Sequence, residues 1–332
     1  MNKILIFGTG AFGTTIANIL LANNNYVAMY GIDQKEINDL LCKQNTKYFG
    51  NFKLIKKPNI VTNNLATLPK IKFNFIILAV PSLATTNIVH LIKKYITNKP
   101  ILINCIKGLN EKTNQPWSLY LKNSCHNKFK AITSLIGPGF AKEIIKGATT
   151  VVNIVSNNKL AANKVIKLLS TKTFICKYCH DLSACYLSSF KNPVAIMTGL
   201  LSGLKYSINT IAAFFTIAIK EINQIINTKN KISPSIIEYC GIGDLFLTCS
   251  KKQSRNFKFG LLIAKYGAKK ALLINKTTVE GLSALKVIHN ITMSNKEKYP
   301  LFTNLFEVIF YNKKPNNFVQ KVLFSNKNNS EL

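Results

Sequence analysis

Gly8-Thr9-Gly10-Ala11-Phe12-Gly13 follows directly on the apolar run Lys3 to Phe7 and opens a helical pattern from Ala11 to Leu21. A G-x-G-x-x-G turn between a strand and a helix leaves few architectures open. Gly8 makes the tight turn, Gly10 lets the backbone approach a pyrophosphate, and Gly13 lets the helix pack close to the strand. The helix N-terminus then offers free N–H groups and the positive end of its dipole to the phosphates. Gly8, Gly10 and Gly13 are therefore candidate cofactor-binding residues, and the cofactor is NAD or NADP. Asp33 lies about 20 residues past the motif, where an acidic residue would bind the ribose 2′-hydroxyl of NAD. It equally suits the cap of the next helix. No Arg is near to take a 2′-phosphate, and Lys35 is the nearest cation. The balance leans to NAD and leaves NADP open.

The rest of the first half repeats the alternation. Tyr26 to Tyr30, Phe75 to Val80, Ile101 to Cys105, Ala131 to Ile136, Thr149 to Val155 and Phe174 to Cys176 read as strands. Helices are expected between them, one starting at Ser82 as N-cap and one over Asn158 to Leu169. Strands alternating with helices predict a Rossmann-type, doubly wound, mostly parallel sheet covered on both faces. From about Asp181 the pattern turns helical: Leu182 to Leu201, Ile211 to Thr228, Ser233 to Cys240, Phe257 to Tyr266, Val279 to Thr292 and Leu301 to Tyr311. Two domains are expected, a dinucleotide-binding one over 1–180 and an all-helical one over 181–332 with a frayed tail from Ser325.

The 44 Lys+Arg against 13 Asp+Glu give a formal charge of +31. The excess is nearly all Lys, scattered singly or in pairs among many Asn and Ile, as an AT-rich genome encodes. No run of five or six basic residues is present, so dedicated nucleic-acid binding is not expected. The field would still draw phosphorylated small molecules. The apolar run Ile4 to Phe7 is short against the roughly 7–15 residues of a signal-peptide core, which points to cytoplasmic residence. Thr210 to Ile219 is too short to cross a bilayer, which takes about 20 residues.

Cys176-Lys177-Tyr178-Cys179-His180 matches the C-x-x-C-H of c-type haem attachment. The pentapeptide falls at the end of a strand, with Cys176 pointing into a sheet and Cys179 expected in the following turn. Neither place offers a haem pocket, so the match reads as accidental. The four His are far apart in sequence, and no metal pattern is evident.

Four other stretches carry polar chemistry. Lys107 follows a strand and so ends at the carboxyl edge of the sheet, where ligands bind in such folds. Gly137-Pro138-Gly139-Phe140-Ala141-Lys142-Glu143 is a second glycine turn into a helix at that edge. Gln253-Ser254-Arg255-Asn256 precedes a helix and combines a hydroxyl, the chain's one guanidinium and an amide, a good grip for a phosphate. Keeping a single Arg where all else has gone to Lys suggests a bidentate task. Lys191 lies within an apolar helix, where it either works in proton transfer or snorkels.

Together these stretches resemble the bacterial-type NAD(P)-dependent glycerol-3-phosphate dehydrogenases. The resemblance runs in order through GTGAFGTTIA, VPS at Val80 to Ser82, KGL at Lys107 to Leu109, GPGFAKE, KN at Lys191-Asn192, GIGDLFLTCSKKQSRNFKFG at Gly241 to Gly260, and VEG at Val279 to Gly281. It implies reversible reduction of dihydroxyacetone phosphate to glycerol 3-phosphate for phospholipid synthesis, with Lys191 as proton donor and acceptor. It implies substrate contacts from Lys107, Gly137, Gly139, Asp244, Ser254, Arg255 and Asn256. It implies dinucleotide contacts from Ala11, Phe12, Lys107, Ala141, Arg255, Thr278 and Glu280, and it admits a homodimer. The chain departs from the family in four places. Gly139 stands where Ser or Thr is usual, and Ile211 and Ile217 stand where cations are usual. Pro193 would kink or end a helical turn just after Lys191-Asn192. A homologue that binds dinucleotide without turnover is therefore the alternative reading.

Overall fold

Ile4, Leu5, Ile6 and Phe7 are all fully buried, which a strand achieves only inside a sheet covered on both faces. That strand, β1 (Lys3–Phe7), is followed by β2 (Tyr26–Tyr30), β3 (Ile60–Thr62), β4 (Phe75–Leu78) and β5 (Ile101–Asn104). Two short strands, β6 (Leu109–Asn110) and β7 (Gln115–Pro116), precede β8 (Ala131–Ile136), β9 (Thr150–Val155) and β10 (Phe174–Cys179). The computed structural model describes residues 1–68, 71–125, 127–227, 233–250 and 254–324. The tail from Ser325, together with His126 and Gln253, lies outside the described residues.

Eight strands form one sheet in the order β10-β9-β8-β5-β4-β1-β2-β3. Neighbours run parallel except β8 and β9. Side chains alternate across the strands, and each face has its own core. Ile4, Ile6, Ile77 and Ile103 pack with Ile16 and Leu20 of the helix Ala11–Ala22. Leu5, Phe7, Ile76 and Leu102 pack with Ile88 and Ile92 of the helix Thr85–Tyr95. This is the doubly wound sheet expected from the sequence. One detail differs. Ser82 begins a short 3-10 turn, Ser82–Ala84, so the following helix starts at Thr85 and Ser82 does not cap it.

The described chain divides into two compact units. Met1–Lys107 and Pro116–Cys185 make up the first; Gly108–Gln115 and Tyr186–Leu332 make up the second. The described part of the second unit is mainly helical. On the helix Ala184–Gly203, Phe190, Val194, Met197 and Leu201 recur at helical spacing and are buried with Phe259, Leu285 and Leu301. Gly199 and Gly260 bring this helix against Arg255–Tyr266. A Cβ on Gly199 would lie 2.1 Å from the Phe257 carbonyl oxygen, and one on Gly260 would lie 2.1 Å from that of Ile196.

Pro193 sits inside the helix Ala184–Gly203 without ending it, because a helix buried along its length is held by packing more than by one hydrogen bond. Two expectations need correction. Ser233 to Cys240 is not one helix. A 3-10 turn, Pro234–Ile237, gives way to a π-turn, Tyr239–Gly243, and Gly241 leaves helical geometry at φ −96°, ψ −105°. Cys179 lies on β10 rather than in a turn, paired with Val155. Cys176 and Cys179 are three positions apart on one strand, so they face opposite sides of the sheet and cannot clasp one haem. Among the described residues no His, Cys, Asp and Glu cluster suits a metal ion, and no helix is long and apolar enough to cross a membrane.

Candidate active site

The first unit places its candidate residues at the carboxyl ends of the parallel strands. Gly8 follows β1 at φ +116°, a conformation L side chains rarely adopt. A Cβ there would lie 2.4 Å from the Ala79 carbonyl oxygen, and one on Gly13 would lie 2.1 Å from that of Gly8. The loop is thus compressed between the end of β4 and the first helical turn. Gly10 is the N-cap of the helix Ala11–Ala22, with no capping side chain and no acidic residue in the first turn. The first N–H groups of that helix have no intrahelical partner, and its first turn holds no acidic side chain to compete for them. The chemistry of this helix start suits a pyrophosphate.

Gly137, Gly139 and Ala141 follow β8. The Ala141 carbonyl accepts from Thr15 Oγ1 at 3.3 Å, which ties this loop to the glycine-motif helix. Around Gly139 the space is already taken: a Cβ would stand 2.8 Å from Ile144 Cδ1. Lys107 is half-buried beyond the end of β5. Cys105, two positions earlier, is pushed up to about 12 by burial, and the Lys107 charge opposes the shift.

The second unit concentrates buried polar side chains. Lys191 and Asp244 are 3% and 1% exposed and form an ion pair through Nζ and Oδ2. Asp244 opens the helix Asp244–Ser250 straight after the π-turn. Burying two charges costs several kcal/mol per ion unless they are paired, so neither partner is dispensable for packing. The nearby Cys249 thiol is pushed up to about 12 by burial and stays protonated. Lys191 also borders a cavity of about 10 Å³ lined by Leu187, Ile222, Ile236 and Leu245, too small for more than about one water.

From Asn192, the residue after Lys191, runs an amide relay. The Gly281 N–H donates to Asn256 Oδ1 at 3.0 Å, and Asn256 Nδ2 donates to Asn192 Oδ1 at 3.0 Å. Because a backbone N–H can only donate, each amide's orientation is fixed in turn. Asn192 Nδ2 is left as a buried donor with no hydrogen-bond partner among the described residues. Asn192 appeared in the sequence only as the neighbour of Lys191. Its signal was the amide itself, since a buried Asn must be satisfied by protein or ligand.

Ser254 caps the helix Arg255–Tyr266, accepting the Phe257 N–H at 3.3 Å. Arg255 is over half exposed and lies 3.7 Å from Glu280, the first residue of the helix Glu280–Thr292. Thr278 is exposed two positions earlier. Lys191, Asp244, Asn256, Ser254, Arg255 and Glu280 thus all lie in the second unit. Ile211 and Ile217, on the helix Ile208–Ile226, are partly buried against its core.

A doubly wound sheet with a glycine turn into its first helix, followed by helices that bury an ammonium against a carboxylate, has the parts that a dehydrogenase using a nicotinamide dinucleotide needs. Comparison with known proteins narrows this. The family model for the NAD-dependent glycerol-3-phosphate dehydrogenase N-terminus matches residues 3–162, and that for the C-terminus matches 182–320. A glycerol-3-phosphate dehydrogenase [NAD(P)+] of Malacoplasma penetrans is 35% identical over 97% of this chain and 96% of its own. One of Neorickettsia sennetsu is 33% identical over 86% and 85%. The crystal structure of glycerol-3-phosphate dehydrogenase from Coxiella burnetii superposes with a TM-score of 0.85 at 25% identity, covering 97% of this chain and 98% of that one. The chain belongs to the NAD-dependent glycerol-3-phosphate dehydrogenase family.

Proposed function

We propose that this protein reduces dihydroxyacetone phosphate to sn-glycerol 3-phosphate, reversibly, and that the product feeds glycerophospholipid synthesis. The observation that carries the reading is the Lys191–Asp244 pair, an ammonium held out of water, with an oriented amide on the next residue of the same helix. A bound reduced nicotinamide supplies the hydride. The ketone oxygen then needs a proton, and Lys191 Nζ is the donor; in the reverse direction the amine takes it back. Asp244 keeps the ammonium in place. Asn192 Nδ2 offers a hydrogen bond to a substrate oxygen, and Ser254, Arg255 and Asn256 stand at a helix N-terminus suited to a phosphate. Gly8, Gly10, Gly13, Ala11 and Phe12 would hold the dinucleotide phosphates, with Ala141 beside them.

The test is loss of nicotinamide absorbance when the purified protein meets dihydroxyacetone phosphate, with unphosphorylated dihydroxyacetone in parallel. Turnover is expected with the phosphorylated ketone and at least about 100-fold less without the phosphate, because remote binding energy supports the chemical step. Binding of dinucleotide with no turnover of either ketone would replace this reading with that of a binding-only homologue.

A further inference from the structure

Asn45 is completely buried and stands as N-cap of the short helix Thr46–Phe49, yet its side chain makes no capping bond. Asp33 shows the usual arrangement. Its Oδ1 accepts the N–H groups of Lys35 and Glu36 at 3.0 and 3.2 Å and so caps the helix Gln34–Leu41. At the following helix that duty passes to Asp39, whose Oδ2 accepts the Thr46 N–H at 2.7 Å. The Asn45 side chain turns to the glycine loop instead. Its Nδ2 donates to the Thr9 carbonyl at 2.8 Å and to Thr14 Oγ1 at 2.9 Å. A carbonyl oxygen can only accept, so the NH₂ end of the amide has to face it. Asn45 Oδ1 is then left buried with no hydrogen-bond partner among the described residues, a cost that native structures rarely carry without a use.

The use lies in the peptide group that Asn45 holds. Thr14 Oγ1 also donates to the Thr9 carbonyl, at 3.0 Å, so both lone pairs of that oxygen are filled. The Thr9 hydroxyl donates to Glu36 Oε2 at 2.6 Å, and Glu36 Oε1 accepts from Lys47 Nζ at 2.7 Å. Thr9 is thus anchored through its side chain and its main chain together. No peptide bond in the described chain is cis, and in a planar trans peptide the N–H points opposite to the C=O. With the Thr9 carbonyl fixed on buried Asn45, the Gly10 N–H is turned away from that interior. Gly10 is half-buried, and its N–H has no acceptor among the described residues.

We propose that Asn45 is a positioning residue for the dinucleotide: it locks the Thr9–Gly10 peptide so that the Gly10 N–H is aimed at the pyrophosphate before the cofactor arrives. A donor set in advance costs nothing to reorganise when the ligand binds. Asn45 acts through the Thr9–Gly10 peptide and not by contact with the ligand. The inference rests on the dinucleotide half of the proposed function and not on Lys191.

NADH dissociation constants, read from nicotinamide fluorescence on the full chain beside melting curves, test this independently of turnover. Asn45→Leu keeps a similar volume, removes the unpaired Oδ1 and leaves Thr14 to satisfy the Thr9 carbonyl, so the fold should survive. NADH affinity should nevertheless fall at least ~10-fold, about the worth of one misdirected hydrogen bond to a charged group. Asn45→Asp, nearer in shape, adds a pH profile. Its buried carboxyl can donate to Thr9 only when protonated. Measured against the native protein at each pH, so that titration of nearby Glu36, Lys47 and Tyr48 cancels, its NADH affinity should recover at least ~3-fold from pH 9 to pH 6. Loss of packing alone does not produce that recovery. Native affinity in a folded Asn45→Leu overturns the proposal, as does an Asn45→Asp deficit that is the same at pH 6 as at pH 9. Failure of the native protein to bind NADH removes the dinucleotide reading itself and the proposal with it.

Discussion

In the first unit the candidate ligand-binding groups are main-chain N–H groups at the helix start after Gly10, and the loop is too tight for a Cβ at Gly8 or Gly13. In the second unit they are side chains. Lys191, Asn192, Asp244 and Asn256 are all less than a tenth exposed, and each depends on a partner from a distant part of the chain. The first arrangement needs no desolvated charge and binds an anion by shape and dipole. The second keeps a charge and an amide donor out of water, which is costly to build but strengthens each interaction at the reacting atoms. The two halves should therefore fail differently when altered.

The largest effect should come from adding one methyl group to the backbone-built half. Gly13→Ala places its Cβ against the Gly8 carbonyl oxygen, which is main chain and cannot swing away. A loss of roughly 3–5 kcal/mol in stability is expected in denaturant titration, with NADH binding abolished. An unchanged midpoint would break the claim that this loop is sterically closed.

The side-chain half should instead be sensitive to pH. Glu221 is buried on the helix Ile208–Ile226, and its carboxyl accepts the N–H groups of Leu301 and Phe302 at 2.8 and 3.2 Å. Burial pushes its pKa up from 4.5 to about 8, against the pull of those two N–H groups. Below 4.5 the group is protonated both folded and unfolded. Between about 4.5 and 8 the folded chain holds a proton the unfolded chain has lost, so stability falls as pH rises; above 8 the penalty is constant. Glu221→Gln should remove this slope. The difference between native and variant melting curves should change by on the order of a few kcal/mol across that window, and a difference independent of pH would sink the assignment.

Asn256→Ala should cost roughly 1–3 kcal/mol, or about 10- to 100-fold in kcat/KM, by leaving the Gly281 N–H and the Asn192 amide without their partners. Asn256→Asp can still accept from Gly281 but cannot donate to Asn192 and buries an unpaired carboxylate, so it should be as poor in kcat/KM and melt lower than Asn256→Ala. Melting of Asn256→Asp close to native would mean that the relay is packing alone. Gly139→Ser should have the smallest effect. Its Cβ meets the flexible tip of Ile144, so less than about 1 kcal/mol of stability is at stake, and the added hydroxyl should lower KM for the phosphorylated ketone. A raised KM would show that Ile144 fills a space the ligand needs.

The same contrast explains what could be read from the residues in order. The glycine loop, β1 and the helix after it are contiguous, and period and turn chemistry reveal such units directly. Lys191 and Ser254-Arg255-Asn256 stood out because a cation in an apolar helix and a lone Arg are locally anomalous. Asn192, Glu221 and Lys47 did not stand out, since their meaning lies in partners far along the chain: Asn256, Leu301 and Glu36. The turn before Asp244 was hidden for another reason. Gly241 is pressed to a would-be Cβ distance of 2.2 Å from the Ser235 carbonyl oxygen, a close approach within one loop that hydrophobic periodicity does not register. The match of Cys176 to His180 to a haem motif shows the converse, a local pattern whose two thiols the strand sends to opposite faces.

The measurement that tests the account most directly compares Lys191→Met with the native protein in two assays, NADH dissociation constant and turnover of dihydroxyacetone phosphate, with Lys191→Met/Asp244→Asn added to relieve the unpaired carboxylate. NADH affinity within about 2-fold of native, with turnover down at least ~10³-fold in both variants, is expected if the backbone-built half binds and the buried ammonium supplies the proton. Turnover restored by the second substitution would contradict the account, because it would make Lys191 a partner for Asp244 and leave the proton to another group.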